Sequence, residues 1–291
     1  MLQNSCQCKF DSNDSWVILN AIEQSIKRKI EAAGTPLKQW DISINYGIKT
    51  GCNDAFIISG EKREEILANC KTDEEREKTA ELIRPILRGR DIKRYSYDYV
   101  DLYLIATFPS KHYDIEDYPA VKNYLLSFGI ERLEQTGKEY IINGERIKAR
   151  KKTNNKWFET QDSISYWDEF NKPKIVWGNL NLSATFSLAP AGMMINAPAT
   201  MIVPADESLL CVLNSKLADY YIRNLGVTRN GGYFEYKPMF MEQLPVPNNL
   251  DTELFFGFFG EESNHEKEID KIVYELYGLT EEEIGYIEQL C

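Results

Sequence analysis

Isoleucines at positions 18, 22, 26 and 30 fall four residues apart, which places them on one face of a helix and predicts an amphipathic helix over 15–33. The polar run Ser12–Ser15 offers its N-cap, and Gly34 its end. After it the period changes. "DISINYGI" (41–48) and "AFII" (55–58) read as two strands flanking a loop, "NYGIKTGCNDAF". The charged stretch 61–84 reads as helix stopped near Pro85, "DLYLIAT" (101–107) as a strand, and "PAVKNYLLSF" (119–128) as a helix with proline in its first turn. "YIINGERI" (140–147) carries Asn-Gly between apolar pairs, a strong short-range hairpin signal. "KIVWG" (174–178) and "ATMIVP" (199–204) are candidates for buried strands, and 206–226 for a capped helix ending at Gly226. One or two further helices are expected after "LPVPNN" (244–249). Strands and helices mix without strict alternation. The predicted class is α+β, a twisted mixed or antiparallel sheet with flanking helices and a helical C-terminal extension.

At 291 residues the chain can bury a sizeable core, and 27% charged side chains is ordinary for a globular protein. No apolar run approaches the roughly 20 residues that a membrane helix needs, and "MLQNSCQCKFDSND" has neither the basic flank nor the apolar core of a secretory signal. A cytoplasmic protein with no membrane partner is therefore expected. Cys6, Cys8, Cys52, Cys70, Cys211 and Cys291 form no framework, which suits free thiols. The net charge of −11 is unevenly spread. Residues 251–291 carry twelve acidic and two basic groups, while the first 250 hold 33 and 32. Lys138–Trp157 has seven basic and two acidic groups, a local basic segment on a balanced body.

Enzyme signatures are missing or out of register. A phosphate loop of the Walker type needs Lys after its second glycine, whereas Lys49 and Thr50 precede Gly51. No Gly-x-Gly-x-x-Gly occurs, and no two prolines are adjacent, which excludes the Pro-Pro turn of an adenine amino-methyltransferase. Glu235-Tyr236-Lys237 resembles half of a metal-nuclease motif without the Pro-Asp half. His112 and His265 lie in polar contexts that suit surface histidines. No catalytic residue, cofactor site or metal site is assigned to this chain.

Six blocks, "INYGIKTGCNDAFII", "IRPILRGRDIKRY", "KWFETQDSISYWDEFNKPKIVW", "LLCVLNSKLADYYIRNLG", "GGYFEYKPMFMEQLPVP" and "IDKIVYELYGLTEEEI", occur in an order that resembles the TaqI-like C-terminal specificity domain. This is the target-recognition part of adenine-specific DNA methyltransferases and single-chain restriction–modification enzymes. The resemblance covers roughly 37–290, and the catalytic core that precedes such a domain is missing. It implies a division into a helical connector (1–36), a recognition domain (37–247) and an acidic helical extension (248–291). It also implies a double-stranded DNA partner, and a methyltransferase or nuclease module in cis or in trans. S-adenosylmethionine, and magnesium for cleavage, would belong to that other module. The chain would position DNA for adenine methylation and cleavage. The alternative is a protein-interaction or scaffold module of a restriction or phage-defence complex that does not bind DNA alone.

Residue chemistry suits a DNA reader, since Lys and Arg neutralise phosphates while Arg and Asn read bases. In the first loop, Gly47 and Gly51 would let backbone amides approach a phosphate, with Lys49, Thr50 and Asn53 adding polar groups; a structural turn with Lys49 solvated is the other reading. Arg146, Lys148, Arg150, Lys151 and Lys152, followed by Asn155 and Trp157, suit groove entry or a solvated charge run. Arg229, Asn230 and Tyr233 stand at a glycine-rich tip that could instead close the preceding helix. Arg90 completes the candidates, with Arg90–Asp91 as a structural pair the competing reading. Trp157, Tyr166, Trp167 and Trp177 suit the core better than stacking platforms.

Overall fold

Lys174–Trp177 is buried at all four positions, so it must be covered on both faces and paired on both edges. The computed structural model, which describes residues 19–226, 228–248, 250, 252–255 and 265–291, meets both demands. The strand lies between Phe186–Ala189 and Thr200–Val203, and Ser43–Tyr46 follows on the far side. All three pairings are antiparallel, with Val176 opposite Ser187 and Met201, and Met201 opposite Asn45. Trp177 is fully buried, its ring 5.3 Å from that of Phe186. A second four-stranded sheet runs Met194–Asn196, Ile83–Arg88, Leu102–Ile105, Ile57–Ser59, its first pair parallel and the others antiparallel. The fold is α+β.

The chain divides into two compact units, interleaved in sequence. The sheet unit comprises Ile42–Asn181 and Thr185–Asp206; the helical unit comprises the residues up to Asp41, Leu182–Ala184 and Glu207–Cys291. The three consecutive segments expected from the sequence differ from these units. By sequence the sheet unit holds 23 basic and 24 acidic side chains, and the helical unit 11 and 21. The charge imbalance therefore belongs to the helical unit.

Several elements differ from the expected ones. The N-terminal helix spans Ala21–Ala33, capped by Asn20, whose side chain accepts from the Glu23 amide. The expected cap at Ser12–Ser15, together with Cys6 and Cys8, lies outside the described residues. The stretch 61–84 is two helices, Gly60–Ala68 and Asp73–Leu82, because Thr72 caps a new start. Pro85 falls inside the strand Ile83–Arg88 rather than ending a helix. "AFII" is divided between a short helix, Asn53–Phe56, and the strand Ile57–Ser59. The helix expected over 206–226 breaks at Ser215, whose hydroxyl accepts from the Ala218 amide and starts Lys216–Leu225 after Glu207–Asn214.

Within the helical unit the acidic C-terminal helices Glu266–Leu276 and Glu281–Leu290 pack by their apolar faces, burying Ile269, Val273 and Ile287. Glu283 accepts from Lys29 at 2.6 Å and Ser25 at 2.7 Å, and the Tyr277 hydroxyl donates to the Pro245 carbonyl at 2.8 Å. Asp270 accepts the Lys216 amide at 2.8 Å. Burial raises the Glu283 carboxyl, but hydrogen bonds from Lys29, the Thr280 amide and Ser25 outweigh it and hold the group at about 2.

Candidate nucleic-acid interface

The loop after Ser43–Tyr46 turns most of its polar groups inward. Gly47 donates its amide to the Ala199 carbonyl, and a Cβ there would lie 2.6 Å from the Ile195 oxygen. Its glycine thus serves a close backbone approach, and the expectation that its amide faces a phosphate is corrected. The Thr50 hydroxyl is also spent internally: it is fully buried, donates to Asn53 Oδ1 at 2.7 Å and accepts the Cys52 amide. Asn53 itself is exposed. Lys49 is presented to solvent, 56% exposed, with Asp162 its nearest carboxylate at 4.0 Å.

Arg150 organises this region from inside. It is 4% exposed, and its guanidinium donates to four carbonyls: Leu133 (2.7 Å), Thr50 (2.7 Å), Glu159 (2.8 Å) and Trp157 (2.6 Å). The planar fork suits this task, because it offers five N–H groups in fixed directions. Phe56 lies beneath it, 5.0 Å from ring centroid to guanidinium carbon. Burial pulls the group down to about 10, partly offset by the charges of Cys52 and Glu159, so it stays protonated at neutral pH. Gly51, at φ +76°, lets the Arg150 stem pass, since a Cβ there would meet Cδ at 2.9 Å. The expectation that Arg150 touches DNA is therefore corrected: it ties the Lys49–Gly51 loop to the loop that follows the hairpin.

That second loop is closed by further polar ties. Gln135, 4% exposed, donates to the carbonyls of Lys156, Glu159 and Thr160 and accepts from Thr153. Asn155 donates to the Thr160 and Gln161 carbonyls, and the amides of Gln161 and Asp162 donate to the Lys49 carbonyl. Trp157 is half-buried, edge-on to Phe158 at 5.6 Å and packed on the core. Thus Asn155 and Trp157 shape the loop. Gln135 escaped the sequence reading, because an isolated glutamine carries no local sign that its amide will be buried.

The hairpin pairs Glu139–Ile142 with Glu145–Lys148 around Asn143 and Gly144, at φ +51° and +85°. These left-handed values explain the Asn-Gly pair. Arg146 is bound to Glu139 across the strands. Lys148, Lys151 and Lys152 are exposed, and among the described residues no carboxylate lies within ion-pair distance of them. Lys156, absent from the expected contacts, is exposed on the same loop. With Lys49, these are exposed cations on the end of the hairpin and on two cross-linked loops.

The remaining candidates lie on other elements. Arg90 is exposed on the turn Gly89–Asp91, but Asp91 is engaged bidentately by Arg88, at 2.6 and 2.9 Å, so the expected Arg90–Asp91 pair is replaced. In the helical unit, the Arg229 amide donates to the Tyr233 carbonyl and closes a tip whose Gly231 and Gly232 have φ near +80°. Asn230 and Tyr233 are exposed there, while Arg229 and Lys237 both bind Glu235. The Lys237 hydrogen bond leads in holding the Glu235 carboxyl below its ordinary value. Among the described residues no three His, Cys, Asp or Glu side chains are grouped to hold a metal, and no helix is long and apolar enough to cross a membrane.

Residues 84–246 match the TaqI-like C-terminal specificity domain, and the chain belongs to that family. Among solved structures it is similar to the type IIL restriction–modification enzyme MmeI in complex with DNA, at 13% identity and a TM-score of 0.53, over 87% of this chain and 35% of that one. It also matches the type IIG restriction endonuclease BpuSI at 12% identity and a TM-score of 0.48, over 87% of this chain and 28% of that one. The chain thus spans about a third of MmeI and less of BpuSI. At these identities the likeness to MmeI is one of fold. No curated protein matches the chain.

Proposed function

We propose that this chain is the DNA target-recognition part of a restriction–modification enzyme, reading duplex DNA while a separate module carries out adenine methylation or cleavage. The observation that carries this reading is the set of exposed lysines with no carboxylate at ion-pair distance among the described residues (Lys148, Lys151 and Lys152), together with Lys49, on the hairpin end and on loops tied together by Arg150, in a chain of the specificity family. Lysines of this kind neutralise phosphates and set register, while base reading falls to neighbouring exposed groups such as Asn53. Arg90, Arg146 and the Arg229–Tyr233 tip are further candidate contacts. S-adenosylmethionine and magnesium would belong to the catalytic module, which would lift the adenine from the stack.

The test is selection from randomised duplexes, followed by a salt titration of the enriched site. Replacing Lys148, Lys151 and Lys152 by glutamine should lower the slope of log K against log salt by about 0.9 per lost contact. Between about 50 and 200 mM salt, three contacts amount to about 40-fold in affinity. Melting should not change, because all three side chains are exposed. An unaltered slope would reject these lysines as the contact site.

The helical unit's 21 acidic against 11 basic groups favour a second reading, a protein-interaction module of the same kind of assembly. It predicts no retention of any duplex even at low salt.

A further inference from the structure

The sheet unit contains a cleft of about 380 Å³, within the range of small-ligand sites. Four aromatic side chains, Phe108, Tyr113, Tyr118 and Trp167, contribute to its lining. Tyr113 and Tyr118 meet edge to face at 5.9 Å. Burial pushes both phenols up, so each hydroxyl keeps its proton at neutral pH. Cations accompany the rings. Lys111 is exposed, its ammonium 3.3 Å above the Trp167 ring centroid, and Arg84 donates to Asn171 Oδ1 at 3.2 Å.

Neither Arg84 nor Lys111 has a carboxylate within ion-pair distance among the described residues. Lys174, outside the lining, is fully buried and among the described residues donates to the Phe170 and Pro190 carbonyls, at 3.0 and 2.9 Å. Burial, and then the Arg84 charge, lowers its amine to about 8. The lining carries Lys78, Arg84 and Lys111 against Glu81, and Lys78 is bound to Glu74, so Arg84 and Lys111 are left to receive an anion. Rings alone would suit an apolar ligand, and cations alone any anion. Together they select a flat aromatic group that carries a phosphate.

We propose that this cleft binds a single nucleotide, with its base against the aromatic wall and its phosphate on Arg84 and Lys111. Stacking on such side chains tolerates any base, while Asn171 and Glu81 on the lining offer polar partners to its edge. The same chemistry is offered by a free nucleoside monophosphate and by an unpaired nucleotide of a bound DNA. The site is distinct from the exposed lysines of the hairpin end and loops and does not depend on them.

Isothermal titration of the full chain with each of the four deoxynucleoside monophosphates tests this, with nucleosides and deoxyribose 5-phosphate as controls. Binding should require both ring and phosphate. Lys111→Ala, at an exposed position, and Arg84→Gln should each weaken it at least about tenfold, which corresponds to about 1.4 kcal/mol. Trp167→Ala should weaken it while Trp167→Phe preserves it. Duplexes with a one-nucleotide overhang, compared with blunt ones, separate the sources: a gain lost in Lys111→Ala marks a nucleotide of bound DNA, and binding of the free nucleotide alone marks a soluble ligand. Absence of binding by both at millimolar concentration overturns the proposal. So does binding that Lys111→Ala and Trp167→Ala leave intact, or deoxyribose 5-phosphate binding as tightly as a nucleotide.

Discussion

Replacing Arg150 by alanine separates a structural arginine from a DNA contact. The substitution removes a charged donor from four carbonyls and leaves a cavity against Phe56. A hydrogen bond from a charged group contributes about 1.5–3 kcal/mol, but four made by one fork do not add, because the loop relaxes once any is lost. A loss of about 4 kcal/mol is therefore expected, at the upper end of single substitutions. For a chain of this size it lowers the melting temperature by about 8–16 °C. Arg150→Lys should recover only part of this, since an ammonium cannot reach four carbonyls held in different directions. Lys151→Ala is the control, expected within about 0.5 kcal/mol of wild type because the side chain is exposed. Thermal melting monitored by circular dichroism, with DNA affinity measured well below each midpoint, gives both readouts. If Arg150→Ala melts with the wild type while the salt slope of DNA binding falls by about one contact, the inward role is wrong and Arg150 touches phosphate.

Two further expectations follow from titration. Glu283 has a folded value of about 2 against an ordinary 4.5, so its contribution is present above about pH 4.5 and is lost as pH falls toward 2. Glu283→Gln should destabilise the protein at neutral pH and flatten the acid limb of its stability profile; an unchanged acid limb would contradict the pairing with Lys29. Lys174 is depressed to about 8 from 10.5, so the unfolded chain holds the extra proton between these values and stability should rise with pH across that window. Lys174→Met should abolish this rise, and its survival in urea midpoints measured from pH 7 to 10 would refute the assignment.

Much of the architecture was legible wherever a local rule decides it. Asn143-Gly144 needed two left-handed residues and made the expected hairpin, and Lys174–Trp177 read as buried because its side chains are apolar or long-stemmed. Local rules also account for the misreadings. Ser215 and Thr72 lie inside runs of helical period, yet each hydroxyl caps a new helix, which a hydrophobic pattern does not register. The interface was legible only in part. The basic run announced a charged segment, but nothing in "IKARKKT" distinguishes Arg150 from Lys151. Only the fold brings carbonyls from positions 50, 133, 157 and 159 around one of them. Thr50 and Gly47 were misassigned for the same reason: their partners, Asn53 and the 195–199 backbone, are fixed by how the loop folds back.

The interleaving of the two units bears on how such a protein changes over time. All of the sheet unit lies between positions 42 and 206, and only Leu182–Ala184 within that span belongs to the other unit. Two of those three residues are held by main-chain atoms: Arg223 grips the Leu182 carbonyl at 2.9 Å, and Asp219 receives the Ala184 amide at 3.0 Å. Both grips act on the main chain, while the Ala184 side chain is itself buried. Two crossovers, one near 41 and one near 207, would therefore exchange the exposed lysines, the Arg150 staple and the cleft as one inheritable cassette.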